Sequence, residues 1–137
     1  MTEHILSTNA NGVLTLIMNR PDKKNALTEA MYGALADGIE AAQTDPTIRV
    51  VVLRGAGDMF TAGNDVAEFA AARPDDGPRH VARFIRAIAV AAKPLIAAVQ
   101  GRAGHRRRGR VGGQYRLVDL QHAVALGLFL ARLRLVQ

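Results

Sequence analysis

The chain has 137 residues, of which 49% are hydrophobic, and this length and composition describe one globular domain rather than a disordered protein. It contains no cysteine, which excludes a disulfide framework and a thiol nucleophile, and no leader or apolar run long enough for a bilayer, so we expect a cytoplasmic protein without a membrane partner. Its net charge of +6 is distributed unevenly: residues 1–101 carry 10 Lys or Arg against 11 Asp or Glu, whereas residues 102–137 carry 8 Arg against one acid. Such a distribution is typical of a nucleic-acid-binding arm or of two stretches of different origin.

Two short apolar runs begin the chain. His4 to Ser7 and Val13 to Met18 are joined across Asn9-Ala10-Asn11-Gly12. An Asn-Gly pair between such runs favours a tight turn, because both residues tolerate positive φ. The pattern therefore predicts an antiparallel β-hairpin.

The first helix is predicted after a polar loop. Apolar residues there repeat about every four positions, which places them on one helical face. Asn25 or Thr28 can cap its start, and Asp45-Pro46 ends it. The residues that form this face are Met31, Leu35, Ile39 and Ala42.

The next elements alternate between strands and helices. Val50 to Leu53 is a continuous apolar run that predicts a strand covered on both faces, and Leu95 to Val99 is a second one. Asp65 to Ala72 is predicted to be helical. After a Pro-rich break, apolar residues again repeat on one helical face and predict another helix. From Met18 onward the order of strands and helices predicts an α/β layer architecture. The apolar residues of the later helix are Val81, Phe84, Ile85, Ile88 and Ala89.

The sequence changes character after Gly101. Residues 104–113 have no apolar period, and residues 117–136 are mostly Leu, Val, Ala and Arg. We place a boundary at Arg102 or Ala103, with residues 104–137 as an Arg- and Leu-rich tail. The tail is expected to be disordered, and the alternative is a helix packing through one set of apolar residues, Leu117, Leu120, Val124 and Leu128.

Four motifs within residues 1–103 together resemble the crotonase superfamily, also called the enoyl-CoA hydratase/isomerase family. No single motif is decisive, but their order and spacing strengthen one another. The resemblance implies a crotonase-like ββα spiral, here incomplete, and an enzyme that acts on acyl-CoA thioesters. The motifs are Asn19-Arg20-Pro21 with Asn25-Ala26-Leu27, then Val50 to Gly55, then Phe60-Thr61-Ala62-Gly63-Asn64-Asp65, and Lys93 to Gly101.

The same resemblance assigns site residues. Family members stabilise an enolate at the thioester oxygen with two backbone N–H groups, and Ala62 matches the first of these donors. The resemblance also places Lys23 and Lys24 near the CoA phosphates or adenine, although solvated loop charges are an equally good interpretation. Asn64 favours a Δ3,Δ2-enoyl-CoA isomerase over a hydratase. The implied substrate-binding residues are Lys23, Lys24, Ala26, Thr61, Ala62, Gly63, Asn64 and Asp65.

The family pattern fails after Gly101. The glycine whose N–H completes the oxyanion hole falls at about Arg106, and Asp119 is the single acid in the later region that supplies the family's proton-transfer groups. We therefore expect the chain to be inactive. A reading-frame change accounts for the break and the charge asymmetry together, because GC-rich codons for Gly104 to Gly109 read one nucleotide later give Ala-Ile-Gly-Val-Gly, which is similar to the missing glycine cluster.

Partners and cofactors follow from the same comparison. Intact family members need no metal or redox cofactor, because CoA is part of the substrate, and they form trimers or hexamers. The competing hypothesis is a nucleic-acid-binding protein, based on the arginines at Arg106 to Arg110. It is the weaker one, because Tyr115 and Phe129 alone could stack on bases and no nucleic-acid-binding fold is recognisable. Absence of affinity for random duplex at low salt would dispose of it.

Overall fold

The protein is described by a computed structural model that covers residues 3–71, 73, 80–100 and 115–125. Its strands and helices follow the predicted order and continue into the tail. They are β1 (Ile5–Ala10), β2 (Val13–Met18), α1 (Glu29–Thr44), β3 (Val50–Gly55), α2 (Val66–Ala71), α3 (His80–Val90), β4 (Leu95–Val99), β5 (Arg116–Asp119) and α4 (Leu120–Ala125), with a 3-10 turn at Pro21–Lys23.

The five strands form one mixed sheet in the order β1-β2-β3-β4-β5. The predicted hairpin is confirmed, with Asn11 and Gly12 at φ values of 55° and 80°. A two-residue turn lets pairing continue to its edge, so β1 extends to Ala10 rather than ending at Ser7. Strands β2, β3 and β4 are parallel, and β5 adds an antiparallel edge. The α/β fold class is therefore confirmed.

Helix α1 packs on the sheet as its periodicity predicts. All four residues of the predicted face are buried. Thr28 caps the helix, since its hydroxyl accepts the Met31 N–H at 3.2 Å, and Asn25 takes no part in this cap. Gly38 lies against Leu16 of β2, where a Cβ would approach the leucine methyl groups to 2.9 Å. This close approach brings α1 down onto the sheet.

Two predictions of burial need correction. In α3 the buried residues are Phe84, Ala87 and Ile88, whereas Ala89 is exposed because the buried stripe is narrower than predicted. In β3, Val51 and Leu53 are buried while their neighbours Val50 and Val52 are only partly buried. The strand is thus covered well on the helical face and less on the other.

The tail was expected to be disordered, and this is wrong for the residues of β5 and α4. The alternative, a helix that includes Leu117, is wrong at that residue. Residues 116–119 pair with β4, which places Leu117 in a strand with 73% of its surface exposed. Leu120 then begins α4 and is buried. The edge of β4 offered unpaired backbone groups, and pairing with them satisfies more hydrogen bonds than a helix starting at Leu117 would. Residues 101–114 and 126–137, including Leu128, lie outside the described ranges.

Within the described ranges, no helix combines the length and apolar character needed to cross a membrane.

Candidate active site

The site is built at one edge of the sheet. The segments that leave the carboxyl ends of β2 and β3 meet there, and Gln100, which follows β4, bonds to the segment after β3. Parallel strands bring their carboxyl ends to the same edge, which is where α/β proteins bind ligands. The motif residues that follow β2 and β3, Asn19 to Leu27 and Phe60 to Asp65, are collected at this edge.

Asn25 joins these segments from inside. It is fully buried, with a left-handed φ of 56°. Its side-chain amide donates to the carbonyl oxygens of Ala56 and Met59 at 2.9 and 2.8 Å, and its oxygen accepts the Arg20 N–H at 2.8 Å. Because no hydrogen-bonding group of this amide remains free for a ligand, Asn25 fixes the two loops against each other.

The second loop, Thr61 to Asp65, is held by backbone and hydroxyl bonds. The Thr61 hydroxyl is buried, donates to the Asn25 carbonyl at 2.7 Å and accepts the Gly63 N–H at 3.1 Å. The Ala62 N–H donates to the Lys24 carbonyl at 2.9 Å. The predicted donor to substrate is therefore already occupied by a bond that anchors the loop.

Asn64 carries the N–H group that this network leaves free. Leu27 donates to the Gly63 carbonyl and accepts the Asp65 N–H, each at 2.8 Å, which makes a parallel bridge to Asn64. In such a bridge the middle residue directs its own N–H away from the partner strand. Between Ala62 and Asp65, the Asn64 N–H is the one that has no partner within the part of the chain that the structure describes, and Asn64 is an exposed residue.

Arg20 and Asp65 clamp the loop from outside. The Arg20 guanidinium donates to the Asp65 carboxylate at 2.7 Å and to the Ala26 carbonyl at 3.1 Å. The other Asp65 oxygen accepts the Glu68 N–H at 3.0 Å and so caps α2. The Glu68 N–H and then Arg20 lower the pKa of Asp65 below its ordinary value. The carboxylate therefore has structural bonds rather than a free face for substrate.

The side chain of Asn64 is held by Tyr32 of α1, a residue that no sequence motif singled out. The Tyr32 hydroxyl donates to the Asn64 side-chain oxygen, and the tyrosine is 2% exposed. Burial, and to a smaller extent the charge of Glu29, raises the pKa of Tyr32 to about 12. The phenol thus remains a donor throughout the ordinary pH range.

The two lysines lie beside the loop with exposed side chains. Lys23 ends the 3-10 turn and Lys24 adopts a left-handed φ of 53°, which turns its carbonyl toward Ala62. No ion pair involving either ammonium is found among the described residues. Ala26 follows them in the chain, and its carbonyl oxygen accepts from the Arg20 guanidinium.

Glu68 and Gln100 complete the surroundings. The Glu68 carboxylate accepts the Glu29 N–H at 2.7 Å and caps the first turn of α1. The Gln100 amide donates to the carbonyl oxygens of Gly55 and Gly57, while its own oxygen is buried and has no partner among the described residues. Among the described residues, no group of three or more acidic or histidine side chains could hold a metal ion.

The family model described as enoyl-CoA hydratase/isomerase matches residues 8–105 of the chain. The chain belongs to the enoyl-CoA hydratase/isomerase family. The match includes every motif that carried the resemblance, so that prediction is confirmed. The predicted boundary at Arg102 or Ala103 stays a prediction.

Individual family members agree over the same part. A 1,2-epoxyphenylacetyl-CoA isomerase of Escherichia coli K12 is 39% identical over 74% of this chain, and a 2,3-dehydroadipyl-CoA hydratase of the same strain is 41% identical over 75%. The crystal structure of an enoyl-CoA hydratase/isomerase from Pseudoalteromonas atlantica T6c superimposes with a TM-score of 0.66, at 41% identity over 71%. The described structure is therefore an open portion of the crotonase fold.

The chain spans about 40% of the length of these relatives, with 41% and 40% for the two E. coli proteins and 39% for the crystal structure. The matched part supplies the loop from Thr61 to Asp65 and its supports. The predicted second donor near Arg106 lies outside the described residues.

Proposed function

We propose that this chain binds the thioester of an acyl-CoA through the backbone N–H of Asn64, as one half of an oxyanion hole. The observation that carries the proposal is the hydrogen bonding of the loop, in which the Ala62, Gly63 and Asp65 N–H groups are occupied, whereas the N–H of the exposed residue Asn64 has no partner among the described residues. This replaces the sequence-based assignment of the donor to Ala62.

The chemistry follows from where charge develops. When a proton leaves or joins the α-carbon of an acyl-CoA, the thioester oxygen becomes negative, and an N–H fixed in advance stabilises it without reorganisation. Loss of one such donor raises the barrier by about 3 kcal/mol in other enzymes. The bonds that hold Leu27 against Gly63 and Asp65 fix the Asn64 N–H in this way.

The reaction that we favour is a Δ3,Δ2-enoyl-CoA isomerisation, with hydration as the alternative. The isomerase hypothesis rests on Asn64 and on the similarity to an isomerase. The similarity to a hydratase of nearly the same identity supports the alternative. Both reactions place negative charge on the thioester oxygen, in a dienolate for the isomerisation and in an enolate for the hydration, so both would use the Asn64 donor.

CoA itself is proposed to lie along the loop from Lys23 to Ala26. The exposed ammonium groups of Lys23 and Lys24 would attract its phosphates, and Gly63, which has no side chain, keeps the approach to the Asn64 N–H open. No metal or redox cofactor is proposed, since CoA is part of the substrate. Assembly into trimers or hexamers, which the resemblance implies for intact family members, is proposed for full-length proteins of this kind.

Turnover is proposed to be absent from the chain as given, because Arg106 stands where the second donor is expected and Asp119 is the one acid of the later region. The test is an assay with a short enoyl-CoA alongside calorimetric binding of acetyl-CoA and of S-ethyl-CoA, which lacks the carbonyl. We expect no turnover but tighter binding of the thioester. Turnover well above the uncatalysed rate that is lost on deleting residues 104–137 would contradict the inactivity, and equal affinities would contradict the thioester site.

A further inference from the structure

The contact between Tyr32 and Asn64 connects the helical layer to the loop that carries the free N–H. The two residues are 32 positions apart, and the Tyr32 hydroxyl donates directly to the side-chain oxygen of Asn64. Tyr32 is 2% exposed, whereas Asn64 is exposed. A buried phenol thus holds an exposed residue of the site.

Neighbouring rings fix the position of this phenol. The ring of Phe69 in α2 meets Tyr32 edge-on, with centroids 6.4 Å apart and planes at 81°. The ring of Phe84 in α3 lies 5.3 Å away at 54°. Since Tyr32 itself belongs to α1, three helices restrict the ring, and aromatic pairs in these geometries are mutually attractive. The hydroxyl is therefore presented to Asn64 from a rigid base.

Asn64 needs such support on its side-chain side. Its neighbours are tied through Leu27, which sets the direction of the peptide, but these bonds leave the side chain unrestrained. Gly63, the residue before it, has a φ of 99° that only glycine adopts readily, so the chain turns sharply into Asn64 at this point. The Tyr32 hydroxyl adds an attachment at the Asn64 side chain to the backbone bonds that Leu27 makes.

We propose that Tyr32 is a positioning residue, which acts through the Asn64 side chain to hold the Asn64 N–H in the orientation that meets the thioester oxygen. This inference rests on the proposed function. Tyr32 does not touch the substrate. Its removal is expected to weaken recognition of the thioester carbonyl while leaving the binding of the CoA portion as it was.

The test compares Tyr32→Phe with Tyr115→Phe, which removes the hydroxyl of the chain's other tyrosine, an exposed residue. The probes are acetyl-CoA labelled with 13C at the carbonyl and S-ethyl-CoA. In Tyr32→Phe we expect acetyl-CoA to bind about 3- to 10-fold more weakly, the range of one hydrogen bond, with a smaller downfield shift of the carbonyl. The affinity for S-ethyl-CoA is expected to be unchanged, and Tyr115→Phe to match the wild type in both.

A double-mutant cycle shows whether Tyr32 acts through the side chain of Asn64. The substitution Asn64→Ala removes the acceptor and keeps the backbone N–H. We expect Asn64→Ala and the double variant to lose the same affinity for acetyl-CoA as Tyr32→Phe alone, because each breaks the same link. Additive losses would overturn the proposed route, as would equal weakening of acetyl-CoA and S-ethyl-CoA.

Relaxation of 15N in the ligand-free chain separates this inference from the proposed function. Tyr32→Phe is expected to lower the order parameter of the Asn64 N–H while leaving that of Ala62 unchanged. An unchanged Asn64 value overturns the positioning role whatever the ligand data show. If the wild-type chain fails to shift the acetyl-CoA carbonyl, the thioester site itself is wrong, and the inference that depends on it is overturned too.

Discussion

Most of the polar side chains around the loop bind backbone groups, and this distinguishes the supporting residues from Asn64, whose N–H we propose as the donor to the ligand. Asn25, Thr61 and Arg20 all have their partners within the two loops. Their residue types follow from the geometry they must satisfy, since an amide can donate twice and accept once at a buried junction. The sequence motifs in this family therefore mark the scaffold of the site as much as its chemistry.

The first prediction concerns Asn25. Replacing it with alanine leaves the carbonyls of Ala56 and Met59 and the N–H of Arg20 without partners, so we expect the free energy of unfolding to fall by about 2 to 4 kcal/mol. The control is Asn9→Ala, which removes one exposed bond to Thr47 and is expected to cost about 0.5 kcal/mol or less. Denaturant titration measures both, and equal effects would contradict the role of Asn25.

The second prediction is a pH dependence that belongs to Tyr32. Its pKa is raised from an ordinary 10.0 to about 12 in the folded chain, mainly by burial. Below about pH 10 the phenol is neutral in both states and its contribution to stability is complete. As the pH rises from about 10 to about 12 the unfolded state ionises first, so roughly 2 kcal/mol should be lost. Unfolding of wild type and Tyr32→Phe at a series of pH values measures this, and parallel curves would contradict it.

At the scale of whole elements, most of the sheet and both long helices could be predicted because their signals are periodic. The four-residue spacing that begins at Met31 and the apolar run from Val50 reflect burial directly. Strand β5 had no such signal, since Leu117 is exposed and the strand forms by pairing with the edge of β4. The donor that we propose could not be predicted either, because a backbone N–H has no side-chain signature, and whether it is free depends on what Lys24 and Leu27 contact.

The third prediction concerns the end of β3. A Cβ at Gly55 would lie less than 3.0 Å from the carbonyl oxygens of Met59 and Phe60, which are backbone atoms held by the loop. Gly55→Ala is therefore expected to lower the melting temperature strongly and to disturb the site loop. At Gly38 the Cβ meets methyl groups of Leu16, which can move, and alanine favours a helix by about 1 kcal/mol. Gly38→Ala should change stability little, and equal losses in thermal unfolding would contradict this reasoning.

The chain spans about two fifths of the length of its relatives. Its sheet is well buried on one face and poorly buried on the other, as is expected when part of a fold is considered alone. The face under α1 and α3 is closed, with Val51, Leu53 and Leu95 at 0%, 2% and 0% exposure. On the other face Val52 and Ile96 are partly buried, and Leu117 is exposed. Each large side chain left in water forgoes about 1.5 to 3 kcal/mol of a total stability of about 5 to 15 kcal/mol.

The fourth prediction follows from this one-sided burial. We expect the chain to be marginally stable and prone to association, with weak amide protection across Val50 to Leu53 and Leu95 to Val99. Hydrogen exchange together with light scattering measures both properties. Strong, cooperative protection of these strands in a monodisperse monomer would show that the domain is properly closed.

The fifth prediction addresses the central claim, that the loop presents the Asn64 N–H, and not that of Ala62, to a thioester oxygen. The 15N-labelled full chain is titrated with acetyl-CoA and, in parallel, with S-ethyl-CoA. The account predicts that the Asn64 amide proton moves downfield with acetyl-CoA alone, as a new hydrogen bond requires, while the Ala62 resonance keeps its position because that N–H stays bonded to the Lys24 carbonyl. A shift at Ala62 with none at Asn64, or the same shifts with both ligands, would contradict it.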